Sequence, residues 1–139
     1  MALGVLAKYD YVGSFLRPQA IKEARTKFSA GQISEADLHA VEDTCIKKLV
    51  EEQKAAGYPL VTDGEYRRAY WHLDFMWGLN GVEEIELEHG YQFHGEETAP
   101  GSIQLVGKID GHNHPFVNYF KYVNSLAGDA KAKQTIPGP

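Results

Sequence analysis

The segment from Ser34 to Gly57 constrains this chain more than any other. Ser34 followed three residues later by Asp37 makes a capping-box-like start, with Asp in place of the usual Glu or Gln. Leu38, Val41, Cys45 and Leu49 then recur at the spacing of one helical face, and Gly57 supplies the stop. Pro59-Leu60-Val61-Thr62 follows at once, a short apolar run that reads as a buried strand. A β-prone run, Tyr9-Asp10-Tyr11-Val12, stands before two successive helices, the first expected from Pro18 to Ala30 with Ile21, Ala24 and Phe28 inward and Gly31 as its cap. Strands separated by helices are built as parallel crossovers, which places the chain in the α/β class.

The rest of the chain extends that order. Tyr70 to Leu79 reads as a helix with Leu73 and Trp77 turned inward, ended by Asn80-Gly81. Ile85-Glu86-Leu87-Glu88 and Tyr91-Gln92-Phe93 alternate around His89-Gly90, and Ser102 to Ile109 is a further strand, together a small antiparallel excursion. Pro115 to Leu126 is expected as a helix, with Phe116, Tyr119, Phe120 and Val123 on one side. Lys133-Gln134-Thr135-Ile136 is then a last strand, cut off by Pro137-Gly138-Pro139. About three parallel core strands result, and a parallel sheet of three leaves edges open and one face poorly covered. The 139 residues read as one domain that is part of a larger sheet.

Composition narrows the function. With 43% hydrophobic and 24% charged residues the chain is globular, and its formal charge of -5, with no basic run longer than Lys47-Lys48 or Arg67-Arg68, argues against a nucleic-acid partner. Cys45 is the single cysteine, which excludes an intramolecular disulfide and a multi-cysteine zinc site within the chain. No secretory core and no apolar run of about 20 residues is present, so no membrane association is expected, and a cytoplasmic location is.

Two strand ends carry residues suited to a ligand. In VGSFLRP, Gly13 lets a ligand approach the backbone, Ser14 adds a hydroxyl and Arg17 a cation; amides near a helix start suit a carboxylate or phosphate, although Ser14 could equally be a plain cap. In Thr62-Asp63-Gly64-Glu65, two carboxylates flank a glycine and could hold an ammonium group, act as acid and base, or help bind a metal. Alternatively, Asp63 stabilises the turn and Glu65 pairs with Arg67 or Arg68. His112-Asn113-His114 has a spacing that can present two imidazoles to one metal, with His89 and His94 upstream, but its composition reads as a solvated loop. Cys45 reads as a small core residue, and Trp71, Phe75, Met76 and Trp77 as core or the wall of an aromatic pocket.

YVGSFLRP, ISEADLHAVEDTCIKKLVEEQKAAGYPLVTDGEYRRAYWHLDF, VGKI and KQTIPGP, in that order, resemble the first part of the catalytic barrel of the cobalamin-independent methionine synthase family, and its short, single-barrel branch most. The resemblance implies that residues 1–139 are the N-terminal part of a (β/α)8 TIM barrel, about its first three strands. It implies transfer of a methyl group from a methylated folate to homocysteine sulfur, held by zinc as thiolate. By position, Val12-Gly13-Ser14 would take the amino acid's carboxylate and Glu65 its ammonium group, with Arg17, Asp63 and Arg68 in support. The family's zinc ligands, a His, two Cys and a Glu, lie on later strands, so no catalytic or metal-binding residue is assigned within this chain, which is expected to be inactive alone. Asp63 stands where the family carries His, and Gly95-Glu96-Glu97 stands where the two-barrel enzymes carry a folate-contacting arginine; His112 and His114 match no family ligand. Other readings are an amino-acid-binding or oligomer-forming half-barrel whose edges a second copy or a missing C-terminal half covers, or a related alkyl transferase acting on another thiol such as coenzyme M.

Overall fold

A computed structural model describes residues 10–90, 92–97 and 100–138. In chain order it contains helices α1 (Gln19–Ser29) and α2 (Glu35–Ala55), strand β1 (Leu60–Val61), helix α3 (Leu73–Trp77), strands β2 (Asn80–Glu86), β3 (Gln92–Phe93), β4 (Glu96–Glu97) and β5 (Gly101–Asp110), helix α4 (Pro115–Ala127) and strand β6 (Lys131–Ala132). The fold is mixed α/β: β1 and β6 pair in parallel, β2 with β5 and β3 with β4 antiparallel. The described residues up to Arg67 form one compact unit with Asn118–Thr135, and Arg68–Val117 make up most of a second.

The first unit is built on α2. Asp37 N donates to the Ser34 hydroxyl at 3.2 Å and Ser34 N to the Asp37 carboxylate at 3.0 Å, the reciprocal cap its sequence announces, a device that contributes about 1 kcal/mol. Ile46, Leu49 and Val50 of α2 pack with Ile21, Val61, Tyr66, Val123 and Ala127, and Val41 and Cys45 lean on this core from its side. Burying each large aliphatic side chain stabilises by roughly 1.5–3 kcal/mol. Phe28, expected inward on α1, remains 41% exposed. No described helix is long and apolar enough to cross a membrane.

Strand β1 is bonded on both edges, but by different means. Toward β6, Lys131 N donates to Pro59 O at 2.9 Å and Lys133 N to Val61 O at 2.8 Å. On the other edge the partners are side chains: Tyr11 Oη lies 2.9 Å from Leu60 O, Gln53 Nε2 donates to Thr62 O at 2.9 Å, and Thr62 N donates to Gln53 Oε1 at 3.0 Å. This corrects the expected first strand. Residues 10–12 form no strand, because those bonding positions of β1 are already filled; Tyr9 lies outside the described residues.

The expected last strand is also displaced. Pairing occurs at Lys131–Ala132 rather than Lys133–Ile136; Lys133 still gives its N–H to Val61 O, while its ammonium reaches both oxygens of Asp10, at 2.7 and 2.8 Å, and Tyr11 O at 2.8 Å. Among the described residues two strands, not three, pair in parallel.

In the second unit the excursion is antiparallel as expected, but its bounds differ: β2 begins at Asn80, where the sequence reads as a turn, ends at Glu86 rather than Glu88 and pairs with β5, while Gln92–Phe93 pairs with Glu96–Glu97. Trp77 Nε1 donates to Ser102 O at 3.0 Å, and Trp77 meets Tyr70 edge-on at 5.6 Å, so this tryptophan is packing rather than a pocket wall. Helix α3 is shorter than the expected Tyr70 to Leu79. The Asp74 carboxylate accepts from Ala69 N at 3.0 Å and Tyr70 N at 2.7 Å, which holds the preceding residues in a turn. Tyr91, expected in the excursion, lies outside the described residues.

Candidate functional site

The turn after β1 is folded by its own side chains. Gly64 N donates to Thr62 Oγ1 at 2.9 Å, and Glu65 N donates to Asp63 Oδ1 at 2.8 Å. These bonds hold two consecutive residues in the left-handed region, Gly64 at φ 65° and Glu65 at φ 57°. Glycine is required at the first, where a Cβ would run into Leu49 and crowd Tyr66 and Phe15. At Glu65 the same conformation costs a non-glycine residue about 1 kcal/mol, a strain that a fold keeps only where something holds it.

The Val12–Arg17 segment meets this turn directly. Phe15 N donates to Gly64 O at 3.1 Å, the Tyr66 hydroxyl to Leu16 O at 3.2 Å, and an Arg17 guanidinium nitrogen to Glu65 O at 3.1 Å. Val12 is 88% exposed, and Gly13 and Ser14 are exposed beside it, with Gly13 at φ 94°. Of the residues singled out in the sequence, Val12, Gly13, Ser14, Arg17, Asp63 and Glu65 therefore lie on two segments bonded to each other, whereas Arg68 begins the second unit.

The charges around the turn differ in what they do. Asp63 is only 6% exposed; burial raises its carboxyl above the usual range, opposed by the Glu65 N–H and by Arg67. Arg67 does not pair with Glu65 in the way the sequence allowed. Its guanidinium binds Asp43 and reaches Glu42 Oε2 at 3.2 Å, and lies 4.8 Å from the Tyr119 ring centre. Glu42, 2% exposed, also faces Arg25 at 3.7 Å, and burial raises its carboxyl against the pull of both arginines. This ion cluster ties α2 to the residues after the turn.

The histidine pair does not form a site. His112 is exposed and anchored through its backbone, its N–H donating to Asp110 Oδ1 at 2.8 Å. His114 is buried, and both ring nitrogens are used. Phe116 N donates to Nδ1 at 3.1 Å, so Nε2 carries the proton that Phe75 O accepts at 2.9 Å. Gly78 lies so close to this ring that a Cβ there would collide with it. Among the described residues, no three His, Cys, Asp or Glu side chains are grouped as a metal needs, and burial raises the Cys45 thiol, which suits a packing role. The described residues do not fit a zinc site.

A cavity of about 500 Å³, lined by Lys54, Tyr58, Pro59 and Asp129 among others, opens at the N-terminal end of β1. Ligands of parallel α/β folds gather at the opposite, carboxyl end, where the turn lies, so the turn is the better candidate. Reasoning on apolar spacing missed Gln53, which is 3% exposed. It lies on the buried face of α2, in step with Ile46, Leu49 and Val50, and a search for polar residues on that stripe would have found it.

Residues 9–139 match the family model described as the cobalamin-independent synthase catalytic domain. The uncharacterized proteins YxjG and YxjH of Bacillus subtilis are each 44% identical over 130 residues, which are 94% of this chain and 34% of theirs. The methionine synthase of Sulfurisphaera tokodaii is 28% identical over 133 residues, 92% of this chain and 37% of its own. Among solved structures, a Listeria monocytogenes protein provisionally assigned as a vitamin-B12-independent methionine synthase superposes with a TM-score of 0.73 at 43% identity, over 92% of this chain and 35% of that one. A B12-independent methionine synthase from Shewanella sp. W3-18-1, in complex with selenomethionine, shares the fold at a TM-score of 0.57 and 20% identity, over 77% of this chain and 30% of its own. The chain thus spans about a third of the length of these relatives, and it belongs to the cobalamin-independent methionine synthase family.

Proposed function

We propose that this chain is the N-terminal third of a methionine-synthase-like (β/α)8 barrel and supplies its amino-acid clamp. The backbone of Val12-Gly13-Ser14 and the Ser14 hydroxyl hold the carboxylate of a thiol amino acid, and Glu65 holds its ammonium group, with Arg17 and Asp63 in support. The observation that carries this reading is the direct bond from Phe15 N to Gly64 O, 3.1 Å, which joins the exposed Gly13-Ser14 segment to the left-handed turn bearing Glu65. An anion site and a cation site side by side suit a zwitterion, because each charge is met by a fixed partner of opposite sign.

The reaction follows from the family as a whole. The completed barrel would transfer a methyl group from a methylated folate to homocysteine sulfur; zinc, held by ligands on the later strands and not by residues of this chain, would supply the chemistry that lowers the thiol's pKa. This chain's own part is binding and orientation. The remaining two thirds of the barrel, as a separate polypeptide or a continuation of this one, cover what the β1–β6 pair leaves open. The test is an assay of methyl transfer to homocysteine with zinc and methyltetrahydrofolate, run on the isolated chain and again with a polypeptide carrying the rest of a relative's barrel. No turnover alone and turnover on mixing is the expected result; turnover by the isolated chain contradicts it.

A further inference from the structure

On the side of β1 away from β6, next to the Tyr11 hydroxyl, one amide bonds Thr62, and that amide touches the root of both candidate binding segments. Gln53 Oε1 accepts from Thr62 N at 3.0 Å while Gln53 Nε2 donates to Thr62 O at 2.9 Å. A neighbouring strand's peptide would offer the same donor and acceptor, so the side chain stands in for a strand. Nε2 also reaches Leu49 O at 3.3 Å, which fixes the amide's orientation from its own helix. The Tyr11 hydroxyl lies against Gln53 Oε1 and 2.9 Å from Leu60 O; it has one proton, given to one of these acceptors at a time. Tyr11 immediately precedes Val12-Gly13-Ser14, and Thr62 immediately precedes Asp63-Gly64-Glu65. The Tyr11 ring is itself held edge-on by Phe15 at 5.2 Å and Tyr58 at 4.9 Å.

We propose that Gln53 is the positioning residue of the site, a single buried amide that sets the Thr62–Glu65 turn and the Tyr11–Ser14 segment in register. The consequence for a ligand, an amino-acid zwitterion, rests on the clamp proposed above; the positioning itself does not. Glutamine suits the task because it gives and takes at once. A carboxylate of the same shape can accept from Thr62 N and Tyr11 but has nothing to donate to Thr62 O, and regains the donor only when protonated.

The test is the Gln53→Glu variant of the full chain, followed by amide hydrogen exchange at two pH values and corrected for intrinsic rates. At pH 7 the amides of Gly64 and Glu65 are expected to exchange at least about 10-fold faster than in the unaltered chain while Ile46 changes by less than about 2-fold, and at pH 5 the difference shrinks. Equal exchange at Gly64 and Glu65 at both pH values overturns the proposal, as does a uniform rise that includes Ile46 and is insensitive to pH. Tyr11→Phe keeps the ring contacts and removes only the hydroxyl, so it decides the matter if Gln53→Glu does not fold: about 3-fold faster exchange at Glu65 supports the proposal, and no change overturns it. With L-homocysteine as probe, Gln53→Glu is expected to bind about 10-fold more weakly at pH 7, a loss of about 1.4 kcal/mol, and to recover toward pH 5. If the unaltered chain binds no homocysteine the clamp fails, while the exchange result still decides Gln53.

Discussion

Two loops in this chain follow strands and carry the residue types of active sites, and they have opposite fates. After β5, Gly111–His114 offers two histidines, yet the buried one spends both ring nitrogens on Phe75 and Phe116, closing its own unit. After β1, Thr62–Glu65 satisfies its backbone with Thr62 and Asp63 and carries Glu65 at a strained φ of 57°. In one loop both ring nitrogens of the buried histidine serve the fold; in the other, Thr62 and Asp63 hold a turn whose Glu65 keeps a backbone conformation that costs stability. Residue type and spacing do not separate these cases. The hydrogen-bond partners do.

The largest effect expected from this contrast is structural and lies in the histidine loop. His114→Ala leaves a cavity between Phe75 and Phe116 and strands the Phe116 N–H and Phe75 carbonyl, so it is expected to lower unfolding free energy by about 3 kcal/mol in urea titration. Homocysteine affinity per folded molecule should not change. A large loss of affinity with little loss of stability would reverse the roles assigned to the two loops.

Gly64→Ala comes next. It meets Leu49 and must hold φ 65°, and a loss of about 2 kcal/mol is expected. Glu65→Gly should do the opposite, gaining about 1 kcal/mol by relieving the backbone while abolishing homocysteine binding. That pairing of gain and loss marks a strained functional residue, and a destabilised Glu65→Gly would mean the turn is merely structural.

The pH dependence of Asp63 gives a smaller effect. Its folded pKa lies above the ordinary 3.8, so its contribution to stability is full below that value and is lost as pH rises through the folded pKa. Asp63→Asn keeps an acceptor for Glu65 N and carries no charge, so at pH 7 it should unfold later by on the order of 1 kcal/mol, with the difference vanishing near pH 3. The advantage appearing instead at acid pH would show the carboxylate to be stabilised by its surroundings. His112→Ala, at an exposed position, is expected to change stability by no more than about 0.5 kcal/mol.

Much of this was readable from residues alone. The cap at Ser34 and Asp37, the helix to Gly57 and the strand near Ser102–Ile109 carry their period in apolar spacing or alternation and form where expected, whereas β2 begins at Asn80 instead of the expected Ile85. The parallel strands were read less well, because two-residue strands have no period to detect and their bounds depend on partners far along the chain. Lys133 keeps its backbone on Val61 O and sends its side chain to Asp10, and Gln53 takes the place of a strand beside Thr62; neither is visible from local sequence. Glu42 and Gln53 were missed for a related reason. A rule that follows apolar residues along α2 passes over buried polar ones on the same stripe. For the site, the residues pointed to two strand ends; the choice of Val12-Gly13-Ser14 and Glu65 as carboxylate and ammonium partners came from the family resemblance.

The central claim is that Glu65 and the Val12–Ser14 segment form an amino-acid clamp within this third of a barrel. Isothermal titration of the chain with L-homocysteine, beside Glu65→Gln, tests it most directly. The account predicts saturable binding by the unaltered chain and affinity at least about 10-fold weaker for Glu65→Gln at equal folded content. Equal binding by both, or none by the unaltered chain, would contradict it.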